Sequence, residues 1–340
     1  MNKFYFSEDI KKIPDLLAEE LRLNGNSEDE TNTFFEDNDI FFEVYEIELR
    51  AISERLMDNL SEHIQEDDKI EKNERLQKQE RFSEIWGSGL AWLRRYYTFS
   101  LDMCEEFHKL SNEFNLISTK TNLEKALYLL NARGILVYSE IICLLESGFP
   151  DGAYAHYRIL YELWAVAEFL FHDGDSDNLA LAFLNSSNKE PKNEASHYKW
   201  ANSSKRFDTV ERVSISAIVK ESHKTFMRRP GDETSLRQLG KNHEFPNILI
   251  HPSAMGLEIL SDSFPDAKTI GMANPAISSS IMLNELNSLY LQLFADEMNG
   301  ENENLYIPEN TFICMELLSS LVNEKIIPIF NEIEHGEEDA

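Results

Sequence analysis

Apolar residues recur every three or four positions along most of the chain, as they do on the buried face of an α-helix. One clear row begins at Phe82 and Trp86 and continues through Leu90 and Leu93. Gly and Pro number only 13 and 10 among 340 residues, and no run alternates apolar and polar residues as a half-buried strand would. The pattern therefore predicts an all-α protein, folded as a multi-helix bundle.

Two apolar segments on either side of Gly148, Phe149 and Pro150 predict a pair of long helices. The first covers about residues 122–147 and the second about residues 151–172. Because a connection of so few residues leaves the two helices side by side, we expect an antiparallel helical hairpin at the centre of the bundle.

A change of composition at residues 111–121 predicts a boundary within the chain. A chain of 340 residues exceeds the size at which a single core usually stops growing, so two parts are expected. We predict an acidic N-terminal helical region at 1–115, which extends the bundle, and a C-terminal helical domain at 120–335 that carries the candidate site.

The balance of 61 acidic against 32 basic residues gives a formal net charge of -29. This charge disfavours a broad surface for nucleic acid or membrane. A local pocket could still bind phosphate, because salt screens distant charges over about 10 Å. The N-terminus lacks the apolar run of a signal peptide, so we expect a cytoplasmic protein. No motif indicates a cofactor.

Two pairs of opposite charges lie within the predicted hairpin. Arg158 and Glu162 interrupt an apolar and aromatic run, while Arg133 and Glu140 are seven residues apart on the preceding helix. Both pairs could point into one seam. Because charges are costly to bury, such pairs either satisfy one another or belong to a functional site. A structural network that holds the helices in register and a catalytic centre both remain open.

His251 is the third element of this candidate site, since the following Pro252 could direct its ring at the hairpin. A neutral imidazole near a carboxylate can act as a general base. The candidate catalytic residues are therefore His251, Glu162, Arg158, Arg133 and Glu140. The candidate binding residues are Asp151, Arg237, His243, Asn247 and Ser253.

The motif GxxDGAxxxxRxLxE at residues 148–162, followed by His-Pro-Ser at 251–253, carries a resemblance. It resembles an uncharacterised bacterial family of helical proteins, a domain of unknown function, over about residues 120–300. The resemblance implies a helical fold and a site at these residues, but no activity.

Arg237 and His243, together with Asn247 and His251, form a pattern that resembles the HEPN helical domains. Many of those domains are metal-independent ribonucleases. The resemblance implies a ribonuclease or toxin-type effector that acts on RNA as a homodimer, with stress or phage defence as the analogous setting. It also implies that His251 or His243 deprotonates the ribose 2′-hydroxyl while Arg158 or Arg237 stabilises the phosphorane.

Two alternatives remain. In the first, the protein is a non-enzymatic helical binding or scaffold protein, with a protein partner on its N-terminal region and a structural cluster of charges. In the second, Glu-x-x-His elements at 105–108, 194–197 and 332–335 belong to a di-metal carboxylate bundle. Since such matches arise easily in so acidic a chain, we assign no residue as a metal ligand.

Overall fold

The computed structural model describes residues 83–114, 116–117, 119–186, 198–210, 212–226, 271–297 and 307–338, with isolated positions between 22 and 80. These residues are helical, with short turns between helices, and include no strand. The structure thus confirms the predicted all-α class. The predicted N-terminal helical region lies largely outside the described residues.

Eight α-helices are described. Helix α1 covers residues 83–114, and the others are α2 (Thr121–Glu146), α3 (Pro150–Phe171), α4 (Ser176–Ser186), α5 (Ile215–Phe226), α6 (Ala273–Glu297), α7 (Ile307–Ser320) and α8 (Ile327–Glu338). A 3₁₀ turn (Lys199–Ser203) precedes α5, and a π-helical segment (Leu321–Ile326) joins α7 to α8. Pro328 has no N–H to donate, which accounts for a break in the regular hydrogen-bond ladder at this join.

The junction between α2 and α3 is set by local backbone chemistry. Gly148 adopts a left-handed φ of 77°, which glycine tolerates best. Its N–H donates to Leu145 O at 3.0 Å, while the N–H of Phe149 donates to Leu144 O at 2.8 Å. These bonds form a Schellman motif, and Pro150 then begins α3 at a position where no N–H is needed.

Helices α2, α3 and α6 pack together at the centre of the core and approach closely at Gly134. A Cβ at Gly134 would lie 2.4 Å from Leu286 Cδ2 and 3.3 Å from Leu160 Cδ1. Elsewhere Gly152 lies against Leu144. An earlier residue of α2, Gly134, thus contacts a later residue of α3, Leu160, while the later Leu144 contacts the earlier Gly152. The two helices therefore run in opposite directions.

Helix α1 belongs to the same core. Trp86 stacks on Phe330 of α8, Tyr96 meets Tyr138 of α2 edge to face, and Phe107 packs on a ring of α6. The chain accordingly divides into compact units between Gln77 and Lys78, rather than near residues 115–120 as the composition suggested. The physical reason is that α1 buries its apolar face against the helices that follow it.

Helix α2 is long and apolar enough to cross a membrane by length and composition. Half of its most apolar window is buried within the fold, as in the core helix of a globular protein. The surrounding helices α1, α3, α4 and α6 account for that burial.

Candidate functional site

Arg158 and Glu162 form an ion pair along α3, with Nε donating to Oε1 at 3.0 Å. Their side chains are 29% and 26% exposed. The expectation that these charges are embedded in the core is therefore wrong. Long side chains can start beside an apolar face and still carry their charged ends to solvent.

Arg133 and Glu140 also pair, with Nη1 at 3.4 Å from Oε1. The other oxygen of Glu140 lies 3.4 Å from Nε2 of His156 on α3. His156 Nδ1 is 3.1 Å from Gly152 O, and it must be the donor because a carbonyl oxygen only accepts. A histidine therefore does meet a hairpin carboxylate, but it is His156.

Arg158 and His156, the residue that meets Glu140, lie on different sides of α3. His156 and Arg158 are two residues apart, which is a rotation of about 200° around an α-helix. His156 faces Glu140 on α2, so Arg158 points away from that contact. Each arginine pairs with the carboxylate on its own helix, and the recorded contact between the helices of the hairpin at these charges runs from Glu140 to His156.

A second histidine meets α3 on the side of Arg158. The Tyr161 hydroxyl and His223 Nε2 of α5 are joined by a short hydrogen bond. The His223 ring also packs near Trp164, with ring centroids 5.9 Å apart. Next to it, Ser222 Oγ donates to Ala165 O at 2.7 Å and ties α5 to α3.

Burial lowers the pKa of His223 and raises that of Tyr161. At neutral pH the imidazole is therefore neutral and the phenol keeps its proton. Arg158 lies one turn before Tyr161 on α3, and residues three apart are neighbours on a helix surface. A neutral imidazole thus contacts a phenol of α3, and a guanidinium lies one turn away on the same helix. We call Arg158, Tyr161, Glu162 and His223 the α3–α5 site.

Asp151 lies in the first turn of α3. Partial burial raises the pKa of its carboxyl group. The other predicted residues, His251, Arg237, His243, Asn247 and Ser253, lie outside the described residues. Their placement beside the hairpin stays a prediction.

One carboxylate that the sequence interpretation missed is fully buried. Glu168 of α3 is 0% exposed, and its Oε1 lies 3.4 Å from His172 Nε2. Just beyond it, Asp173 accepts a hydrogen bond from Ser204 Oγ at 2.5 Å, and Arg206 places its guanidinium over the Phe169 ring. The four-residue spacing of Glu168 and His172 within an apolar run was the signal. Glu168, His172, Asp173, Ser204 and Arg206 therefore form a polar cluster at the C-terminal end of α3.

Among the described residues, no three side chains of His, Cys, Asp or Glu are placed so that they could hold a metal ion. Of the Glu-x-x-His elements, Glu105 is exposed while His108 turns toward Glu124. The element at 194–197 and the side chain of His335 lie outside the described residues.

Residues 124–248 match DUF5677, a family of unknown function. The DUF5677 match begins in α2 and spans α3, α4 and α5, so it contains the hairpin motif and His223. It confirms the predicted resemblance to an uncharacterised family over a narrower range, whereas the HEPN resemblance stays a prediction. No curated protein and no solved structure matches the chain.

Proposed function

We propose that the protein is a metal-independent ribonuclease whose chemistry takes place at the α3–α5 site. The observation that supports the proposal is the neutral His223 held by Tyr161 on the side of α3 that carries Arg158. An imidazole that is neutral near pH 7 is a suitable general base, and a guanidinium is a suitable partner for a phosphate. Directly after α5 the sequence carries Arg228, Arg229 and Arg237, the most basic segment of an acidic chain.

The proposed reaction is an internal transesterification. In the tautomer in which Nε2–H donates to the Tyr161 oxygen, Nδ1 of His223 is free to accept the proton of the ribose 2′-hydroxyl. The 2′-oxygen then bonds to phosphorus and the bond from phosphorus to the 5′-oxygen breaks. Arg158 stabilises the charge of the phosphorane, and the leaving 5′-oxygen takes up a proton. The products are a 2′,3′-cyclic phosphate and a 5′-hydroxyl.

The proposal keeps the remaining predicted parts as expectations. The sequence-based expectation gave the role of base to His251 or His243; in this proposal His223 takes that role, and His251 or His243 would instead protonate the leaving 5′-oxygen. Arg237 would help Arg158 to stabilise the phosphorane. A homodimer would assemble two such sites, and a cellular RNA substrate implies a cytoplasmic protein. A role in stress or phage defence rests on the HEPN resemblance alone.

The test is cleavage of a mixed RNA pool by the purified full chain, with and without EDTA. We expect cleavage that EDTA does not abolish, and a loss of about 10²-fold or more in His223→Gln and Arg158→Gln. Arg94→Gln is the matched control, because Arg94 forms an exposed ion pair with Glu146 on the α1–α2 side. Intact RNA under all conditions, or equal losses in all three variants, would contradict the proposal.

A non-enzymatic helical binding or scaffold protein is the second candidate. It is favoured by the fact that Arg133, Glu140, Arg158 and Glu162 all pair within the chain, which is what a structural role requires. If the wild type leaves RNA intact while Arg158→Gln and Glu162→Gln change only the melting temperature, this candidate is supported instead.

A further inference from the structure

A row of polar side chains runs through the core between α1, α2 and α6, away from the α3–α5 site. Their spacing of three or four residues places them on the facing sides of the three helices. The row comprises Ser100, Cys104 and His108 of α1, Glu124, Tyr128 and Asn131 of α2, and Asn287 and Tyr290 of α6.

One end of the row is partly satisfied by protein groups, although Asn287 Oδ1 has no partner among the described groups. Asn287 Nδ2 donates to Ser100 Oγ at 3.0 Å, although both residues are fully buried. Nearby, the hydroxyls of Tyr138 and Ser280 lie 2.7 Å apart. The amide nitrogen of Asn287 and the hydroxyls of Ser100, Tyr138 and Ser280 thus follow the usual rule that buried polar atoms find partners.

The other end is different. Asn131 is 0% exposed, yet within the described structure neither its Oδ1 nor its Nδ2 has a hydrogen-bond partner. The hydroxyl of Tyr290, also at 0% exposure, likewise meets no partner among the described groups. Two fully buried polar side chains therefore lack a nitrogen or oxygen partner among the described groups, and the weak sulfur of Cys104 is the one polar neighbour recorded for the Asn131 amide.

His108 and Glu124 lie at the outer end of this region. Asn112 Nδ2 is 2.9 Å from His108 O and 3.1 Å from His108 Nε2. Since the carbonyl can only accept, Asn112 Nδ2 donates to both atoms, and a ring that accepts at Nε2 carries its proton on Nδ1. That Nδ1–H is 4.0 Å from Glu124 Oε1, too far for a hydrogen bond, and both atoms are buried without a partner in the described chain.

These groups converge on one place. The His108 ring stacks on Tyr128 at 3.6 Å, and the Tyr128 ring lies 6.3 Å from that of Tyr290. The thiol of Cys104 adjoins Asn131, and both Cys104 and Glu124 act electrostatically on Tyr290. Burial raises the pKa of the Cys104 thiol to about 12, so it is neutral and adds no charge. We call Asn131, Tyr290, Glu124 and His108 the core polar cluster.

We infer that the core polar cluster binds a compact uncharged ligand that both donates and accepts hydrogen bonds, with ordered water as the occupant we expect. Asn131 Nδ2 and His108 Nδ1 supply donors, Asn131 Oδ1 and Glu124 Oε1 supply acceptors, and the Tyr290 hydroxyl can do either. A metal cation does not suit a site with two N–H donors, and an anion does not suit Glu124. Buried water typically makes about three hydrogen bonds to otherwise unsatisfied groups.

The exposure of the cluster suggests how an occupant enters. The side chains of His108 and Glu124 are 32% and 13% exposed, whereas Asn131 and Tyr290 are closed to solvent. The cluster thus has a partly open outer end and a closed inner end. A small organic molecule of the same hydrogen-bonding chemistry is the alternative occupant.

The direct test is a high-resolution crystal structure of the full chain, with native mass spectrometry of the same preparation. We expect density within about 2.7–3.2 Å of the Asn131 amide and the Tyr290 hydroxyl. Isolated water-sized peaks and an unmodified mass identify water, whereas continuous density and a matching added mass identify an organic ligand. A dry cluster, with the Asn131 amide bonded to a protein nitrogen or oxygen, overturns the inference.

A conservative pair of variants gives an independent answer. Tyr290→Phe removes only the hydroxyl in question, and Tyr138→Phe is its matched control because Tyr138 bonds Ser280. If an occupant satisfies Tyr290, both variants lower the melting temperature by similar amounts, about 1–4 °C. If the Tyr290 hydroxyl is truly unsatisfied, its removal leaves the melting temperature unchanged or raises it, and the inference fails.

Discussion

At the scale of single residues, exposure decides what the charged groups of α3 contribute. Glu168 is completely buried beside His172, whereas Arg158 and Glu162 keep more than a quarter of their side chains in solvent. Solvent screens the second pair, so its attraction contributes little to stability. In the proposed reaction, Arg158 could therefore exchange Glu162 for a phosphate with little loss of stability.

We therefore predict that Glu162→Gln and Arg158→Gln each destabilise the fold by less than about 1 kcal/mol. A double-mutant cycle on these two positions, followed by urea denaturation, should give a coupling energy in the same range. A coupling of 3 kcal/mol or more would mean that the pair is desolvated as a buried ion pair is.

His223 gives a second prediction at this scale, about pH. Burial lowers the pKa of its imidazole below the ordinary value of 6.5. As the pH falls, the unfolded chain therefore takes up this proton before the folded protein does. Stability from this group is complete above about pH 6.5 and decreases as the pH falls through the folded-state pKa.

The measurement is the melting temperature of the wild type and of His223→Gln between pH 8 and pH 5. We expect a constant difference above pH 7.5 and a smaller acid loss in the variant, because glutamine has no proton to take up. Parallel curves over the whole range would show that His223 is not held neutral by burial.

At the scale of helices, some features follow from local sequence and others do not. Gly148 and Pro150 mark the end of α2 and the start of α3, because a left-handed glycine and an N-terminal proline act within a few residues. The apolar row of α1 shows that one face is buried, but not which helices bury it. Its contacts with α2, α6 and α8 come from residues far away in the chain.

The candidate site also combines contacts that nearby sequence predicts with contacts between residues far apart in the chain. The pairing of Arg158 with Glu162 is readable from their spacing, since residues four apart meet on a helix. The roles of His156 and His223 were missed, because Glu140 and Tyr161 reach them across helix contacts. His223 borders the buried face of α5, beside Ser222 and Phe226, and that position was the available signal.

The close crossing at Gly134 leads to a prediction about helix packing. Alanine is the better helix former, by up to about 1 kcal/mol, yet its Cβ would press on the buried Leu286 and Leu160. Because overpacking a tight core costs about 1–3 kcal/mol, we expect Gly134→Ala to destabilise the protein by about 1–2 kcal/mol.

Gly87 of α1 is the matched control, since a Cβ there would approach only the Ser83 hydroxyl, at 3.3 Å. Gly87→Ala should leave stability unchanged or raise it by up to about 1 kcal/mol. Chemical denaturation of both variants gives the comparison. Equal effects of the two substitutions would show that the helices do not approach closely at Gly134.

At the scale of the whole molecule, the chain divides into two compact units after Gln77, and the second unit holds the core described above. The unit that starts at Lys78 contains α1 together with α2, α6 and α8, whose rings its side chains contact. A shorter unit beginning after residue 115, as composition alone suggests, would expose the core faces of α2, α6 and α8.

We predict that a fragment of residues 78–340 unfolds in one cooperative transition, whereas a fragment of residues 116–340 does not. The shorter fragment lacks Trp86, Tyr96 and Phe107, three buried rings whose individual loss typically costs about 3–5 kcal/mol. Together these losses match or exceed the total stability of an ordinary domain. Circular dichroism melts and dye binding of both fragments provide the measurement, with the full chain as the reference. A sharp transition in the shorter fragment would show that α1 is an accessory to a core that is complete without it.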